Sequence, residues 1–236
     1  MDNTDCNTEK LLPLQFESKS IINMSYIGKK APQFEANAVI NGNEIVERFS
    51  LEQFNGKKNV LLFFYPMDFS SVCPTEILAF QNKLEEFEKR NVAVIGCSVD
   101  SVNTHLAWLN TDIDKGGIKG VTFPLVSDFS KTISFNYDVL GGEYDYDEEE
   151  DEVVFEGNPF TYRALFLIDK MGIVRHQLIN DLPFGRSIDE ALRMVDQLRH
   201  YERHGESCPA NWKNGDKGIV APEATYSNFI EKHRND

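Results

Sequence analysis

A cysteine that opens a helix is the most chemically pointed feature of this sequence. In the segment Phe64-Tyr65-Pro66-Met67-Asp68-Phe69-Ser70-Ser71-Val72-Cys73-Pro74-Thr75-Glu76, Cys73 stands where a loop enters a helical stretch. Pro74 suits the first helical position, because its missing N–H would lack a partner there anyway. Glu76 lies in the first turn, where a carboxylate complements the helix dipole. Free N–H groups at such a start point outward, and the positive end of the dipole favours thiolate over thiol. The chemistry on offer is nucleophilic attack by sulfur. Ser70, one loop turn earlier, can direct its hydroxyl at the sulfur or at a bound oxygen, and Pro66 can shield the sulfur from bulk water. The competing reading is an inert core cysteine, against which the proline-led helix start argues.

The elements that must position this segment follow from the hydrophobic pattern. Val60 to Tyr65 is apolar without alternation, the mark of a strand buried on both faces. After Cys73 the spacing predicts a helix to about Arg90, with Ile77, Phe80, Leu84 and Phe87 on one face. Val92 to Val99 reads as a second buried strand, completing a βαβ unit. A further helix is expected over Val102 to Leu109, a buried strand over Ala164 to Asp169, and a hairpin partner over Ile173 to Ile179. Ser187-Ile188-Asp189-Glu190 fits a capping box that opens the last strong helix.

Composition narrows the functional classes. The 236 residues are 41% hydrophobic and 26% charged, as expected of one globular core with appendages. The net charge is −14 and the pI near 4.8, which argues against nucleic acid as a partner. Part of the acidity is local: residues 143–152 carry eight carboxylates and read as a solvated loop. No apolar run approaches the ~20 residues that span a bilayer. Residues 1–10 lack the apolar core of a signal peptide, so a cytoplasmic location is expected. Of the four cysteines, Cys6, Cys73, Cys97 and Cys208, none forms a Cys-x-x-Cys or a zinc-spaced pair with histidine. Cys97 reads as packing in its strand, and the histidines, His105 among them, as surface or packing residues.

Around Cys73 the sequence resembles the typical two-cysteine peroxiredoxins, the group that includes the alkyl hydroperoxide reductase C subunits. Pro66, Ser70 and Cys73 fill the active-site pattern in a Val-Cys-Pro-Thr-Glu context. Further matching segments follow in order: Ser98-Val99-Asp100-Ser101, His105-Leu106-Ala107-Trp108, Asn180-Asp181-Leu182-Pro183, Gly185-Arg186-Ser187 and Cys208-Pro209-Ala210-Asn211-Trp212. The resemblance implies an α/β, thioredoxin-like fold whose central mixed sheet is flanked by helices. Residues 1–24, polar and weakly patterned, read as a mobile extension, followed by a peroxidase domain (25–200, with an acidic insertion at 143–158) and a C-terminal arm (201–236).

The resemblance also implies a mechanism. Cys73 attacks hydrogen peroxide or an alkyl hydroperoxide, and Cys208 of a neighbouring subunit resolves the product as a disulfide. Thioredoxin or a dedicated flavoprotein reductase then recycles the pair, with no metal, haem or flavin in this chain. Arg163, in Tyr162-Arg163-Ala164, matches the arginine that holds thiolate and peroxide. Arg186 matches a second arginine supporting Glu76 and Arg163, with a plain structural salt bridge as its alternative. The implied assembly is a homodimer, five of which form a ring. A holdase chaperone or redox relay on the same fold, a disulfide reductase and a one-cysteine peroxidase are the rival functions.

Three departures from the family pattern stand out. Ser71 replaces a usual phenylalanine, Gly116-Gly117-Ile118-Lys119 replaces Gly-Gly-Leu-Gly, and Tyr226 and Phe229 are not adjacent. The last two predict better resistance to overoxidation at Cys73.

Overall fold

The computed structural model describes residues 25–147 and 152–220. The 1–24 extension, Cys6, the tip of the acidic segment, Tyr226 and Phe229 lie outside the described residues. The chain forms a seven-stranded mixed sheet and a separate two-stranded sheet. The strands are β1 (Glu35–Ile40), β2 (Glu44–Ser50), β3 (Asn59–Phe64), β4 (Val92–Ser98), β5 (Leu125–Ser127), β6 (Leu140–Asp147), β7 (Glu152–Thr161), β8 (Arg163–Ile168) and β9 (Val174–Asn180). The helices are α1 (Cys73–Asn82), α2 (Leu84–Lys89), α3 (Val102–Asn110), α4 (Thr132–Asn136) and α5 (Ile188–His204). The main sheet has the order β2-β1-β5-β4-β3-β8-β9. β3 runs parallel to β4 and antiparallel to β8, which places it inside the sheet, beside the middle strand β4. This is the thioredoxin-like arrangement expected from the sequence, a central mixed sheet flanked by helices.

The apolar run of β3 is explained by burial on both sides. Leu61 and Phe63, with Tyr65 just beyond, join α1, α2, α3 and α5 in one core. Val60, Leu62 and Phe64 face a second core with Ile133 of α4 and Tyr137. Within the first core Phe63 stacks on Phe80, ring centroids 4.4 Å apart. β3 therefore delivers the loop after Phe64 from a strand buried along its whole length, and α1 receives it.

Two expectations are corrected. The helix after Cys73 does not run unbroken to Arg90: Lys83 separates α1 from α2, its N–H taking the Phe80 carbonyl three residues back at 3.1 Å and tightening the turn. The acidic segment is not a plain loop. β6 and β7 pair antiparallel from Leu140↔Thr161 to Asp147↔Glu152, so backbone hydrogen bonding organises it into a hairpin. The α5 start keeps half of its capping box. Ser187 accepts the Glu190 N–H at 3.2 Å, while the Glu190 carboxylate turns to Arg193 at 2.6 Å. Ser187→Ala is expected to cost about 1 kcal/mol, the usual value of a lost N-cap, read as a lower urea midpoint with unchanged slope.

Candidate active site

Cys73 is the first residue of α1 and is fully buried. Val72 provides no side-chain cap, and Pro74 removes one amide from the first turn. The Arg163 guanidinium closes over the sulfur from the start of β8, with Nη1 donating to Sγ at 3.3 Å. The same nitrogen donates to Glu76 Oε2 at 2.8 Å, so one donor group spans thiol and carboxylate. Arg163 Nε is held by the Leu182 carbonyl, which fixes the plane of the fork.

Glu76 is the hub. Arg186 grips it through Nε at 2.8 Å and Nη2 at 2.9 Å, and adds its own backbone N–H at 2.8 Å. The remaining Arg186 donor reaches the carbonyls of Phe64 at 2.7 Å and Ala164 at 2.6 Å, tying β3 to β8 beneath the site. Its guanidinium carbon lies 5.1 Å from the centre of the Phe63 ring. Burial alone would push the Glu76 carboxyl up. The charge and hydrogen bonds of Arg186, together with the charge of Arg163, overcome that and hold it below the usual carboxylate range. For Arg186 the geometry unites both earlier readings: it makes a buried salt bridge, and that bridge supports Glu76 and Arg163.

Pro66 is buried, in keeping with a shielding role. Ser70 does not bond to the sulfur. Its Oγ is buried and has no hydrogen-bond partner, leaving a donor free for a bound oxygen. Ser71 is exposed. Cys208 is a free, half-buried thiol against α5, where its Sγ lies 3.9 Å from the Gln197 carbonyl. It borders a cavity of about 290 Å³ with Met194, Leu198 and Tyr201. Burial pushes the Cys208 thiol up, Glu206 adds to this, and Arg193 opposes it. Cys97 is pushed well above its ordinary range by burial and by Asp128, in keeping with a packing role.

Reading the sequence missed a second buried network, one loop turn from Cys73. The Tyr65 hydroxyl donates to Asp68 Oδ1 at 2.8 Å, and Asp68 Oδ2 lies 2.7 Å from His105 Nδ1. His105 is wholly buried, not a surface residue. Its signal was its place on α3, three and four residues before the buried Trp108 and Leu109. Among the described residues, no group of three or more His, Cys, Asp or Glu side chains is placed to hold a metal. None of the helices there is long and apolar enough to cross a membrane.

The model of the AhpC/TSA family matches residues 27–177. The chain belongs to the AhpC/TSA family. A second model, the C-terminal domain of 1-Cys peroxiredoxin, matches residues 198–232, which include Cys208. Among AhpC/TSA relatives, alkyl hydroperoxide reductase C of Helicobacter pylori is 46% identical over 207 residues, covering 88% of this chain and 97% of that protein. Peroxiredoxin-2 of Cricetulus griseus is 44% identical over 209 residues, covering 89% of this chain and 97% of that protein. The solved structure of reduced Plasmodium vivax 2-Cys peroxiredoxin aligns with a TM-score of 0.72 at 47% identity, covering 82% of this chain and 92% of that one. Like these AhpC/TSA proteins, the chain is a peroxidase enzyme of thioredoxin-like fold.

Proposed function

We propose that this peroxidase reduces hydrogen peroxide and alkyl hydroperoxides through Cys73, and that Cys208 of a neighbouring subunit resolves the oxidised sulfur. The observation that carries the reading is the 3.3 Å approach of Arg163 to Cys73 Sγ at the mouth of α1. In the first step the Cys73 thiolate attacks the terminal peroxide oxygen. An S–O bond forms and the O–O bond breaks. Sulfur loses two electrons to become a sulfenic acid, and the departing hydroxide or alkoxide takes up a proton. Arg163 and the unpartnered Ser70 hydroxyl supply fixed donors to the developing charge, so little reorganisation is needed during the reaction. Pro66 keeps bulk water from the sulfur, while Glu76 and Arg186 hold the Arg163 fork in place.

In the second step the Cys208 thiol condenses with the sulfenic acid and releases water, leaving a Cys73–Cys208 disulfide. The upward push on Cys208 suits this division of roles, since a protonated thiol does not compete with Cys73 for peroxide. A dithiol donor, thioredoxin or a flavoprotein reductase, restores both thiols by exchange. That requirement favours a reducing compartment, and we assign the cytoplasm. We assign the assembly as homodimers in a ring of five, and the domain boundaries as 1–24, 25–200 and 201–236.

The test is a non-reducing gel. One equivalent of peroxide is expected to convert the reduced protein to a covalent dimer that dithiothreitol reverses, and Cys208→Ser is expected to abolish the dimer while leaving Cys73 open to sulfenic-acid trapping. A Cys208→Ser protein that still forms the dimer would overturn the resolving role. The rival holdase reading predicts no oxidation of a coupled donor at all.

A further inference from the structure

The peptide unit that carries Pro66 has a single hydrogen-bonding group. Proline has no N–H, so the Tyr65 carbonyl is the only backbone handle by which the Tyr65–Pro66 unit can be held. The pairing of β3 with β8 ends at Phe63↔Leu165, two residues short of it. The donor comes instead from outside the main sheet. Thr161, the last residue of β7, gives its hydroxyl to the Tyr65 carbonyl at 2.8 Å, across 96 residues of chain. Its side chain is wholly buried, where a hydroxyl and a carbonyl left unpaired would both be costly. The Tyr65 N–H donates to the Cys97 carbonyl at 3.0 Å, so β4 holds one side of Tyr65 and β7 the other.

Thr161 also stands two residues before Arg163. Tyr162, between them, donates its N–H to the Val139 carbonyl at 2.8 Å, which fixes the turn from β7 into β8. One short stretch, 161–163, therefore grips the Pro66 peptide at one end and the sulfur at the other, where Arg163 Nη1 donates to Cys73 Sγ at 3.3 Å. Arg186 holds the preceding carbonyl, that of Phe64, at 2.7 Å, and its other donors go to Glu76 and Ala164. The Tyr65 carbonyl is thus left to Thr161.

We propose, on the Cys73 reading above, that Thr161 is a positioning residue for the peroxide step: its hydroxyl fixes the Tyr65–Pro66 peptide plane and so holds the Pro66 ring in register with Arg163 beside Cys73. Without that bond the peptide plane rocks and the ring moves with it. Water then reaches the sulfur, and a peroxide loses its alignment between Cys73 and its donors. The thiolate itself is unaffected, because Arg163 keeps its bonds to Glu76 and to the Leu182 carbonyl.

The test is the second-order rate of Cys73 oxidation by hydrogen peroxide, followed in the full-length protein by acid-quench mass spectrometry. Three variants separate hydroxyl from bulk. Thr161→Val keeps the shape and removes the donor, Thr161→Ser keeps the donor and removes a methyl, and Thr161→Ala removes both. Valine and alanine are expected to slow oxidation about ten-fold, as misplacement near a reacting centre does, while serine stays within about two-fold of the parent. A role in packing alone predicts the other order, with valine near the parent and serine as slow as alanine, and that order would overturn the proposal. If Thr161→Val does not fold, serine and alanine, which differ by the hydroxyl alone, decide between them. Alkylation of Cys73 by iodoacetamide needs the thiolate but no aligned oxygens, so it is expected to stay within about two-fold throughout. Alkylation that falls in step with peroxide oxidation would also overturn the proposal, since a lost thiolate would then explain both. A parent protein whose Cys73 remains a thiol under peroxide would instead overturn the Cys73 reading, before any variant is compared.

Discussion

Cys73→Ser is expected to eliminate peroxide turnover, lowering it at least about a thousand-fold, while leaving thermal stability close to that of the parent protein. The two halves of this expectation have different origins. Serine is smaller than cysteine by little more than the difference between oxygen and sulfur, and its hydroxyl can still accept the Arg163 N–H that now reaches Sγ at 3.3 Å. The fully buried site then remains hydrogen-bonded and its packing is nearly conserved. Chemistry is another matter. A hydroxyl is a weak nucleophile at neutral pH, whereas a cysteine is partly ionised and intrinsically reactive. Arg163 offers a donor at this position but cannot ionise a serine, and the neighbouring carboxylate, Glu76, is already held by two arginines. Peroxide consumption with a coupled dithiol donor measures the loss, and a melting curve on the same sample measures the fold. Full activity in the serine variant would end the assignment of Cys73.

What could be read from the sequence divides by the range of the interactions. Cys73, Pro74 and Glu76 were legible because a helix start is local chemistry, decided within four residues. The burial of β3 was legible because a strand covered on both faces has no polar alternation to hide it. The hub at Glu76 was not legible from spacing: Arg163 reaches it across 87 residues and Arg186 across 110, and only the resemblance to a family brought those arginines forward. The pairing of Asp68 with His105 left no periodic trace, since a single aspartate in a loop and a single histidine on a helix have separate histories in the chain. The acidic hairpin was misread for a different reason. Its composition suggested solvation, yet Tyr144-Asp145-Tyr146-Asp147 alternates with period two, and backbone pairing satisfied that pattern. The break at Lys83 is a matter of one hydrogen bond and lies below the resolution of hydrophobic periodicity.

Glu76→Ala is expected to destabilise the protein by about 3–5 kcal/mol, the cost of leaving buried cations without their counterion. The magnitude rests on burial: the side chains of Arg186 and Arg163 are 0% and 4% exposed, so water cannot take the place of the carboxylate. Arg186 keeps the carbonyls of Phe64 and Ala164, but three of its contacts with Glu76 vanish at once. Glu76→Gln keeps the shape and some of the hydrogen bonds while losing the charge, so it should fall between the parent and the alanine variant. The pH dependence follows with a definite sign. Because the folded protein holds Glu76 below its ordinary range, the unfolded chain binds the proton more readily. The stabilisation is complete above the unfolded value of about 4.5 and is lost as pH falls through the lower folded value. Urea titrations at pH 7 and at pH 4 and below should show the gap between parent and Glu76→Gln closing with acid. Equal gaps at both would mean that the two arginines are balanced by something other than this carboxylate, and that Arg163 is held over the sulfur by the Leu182 carbonyl alone.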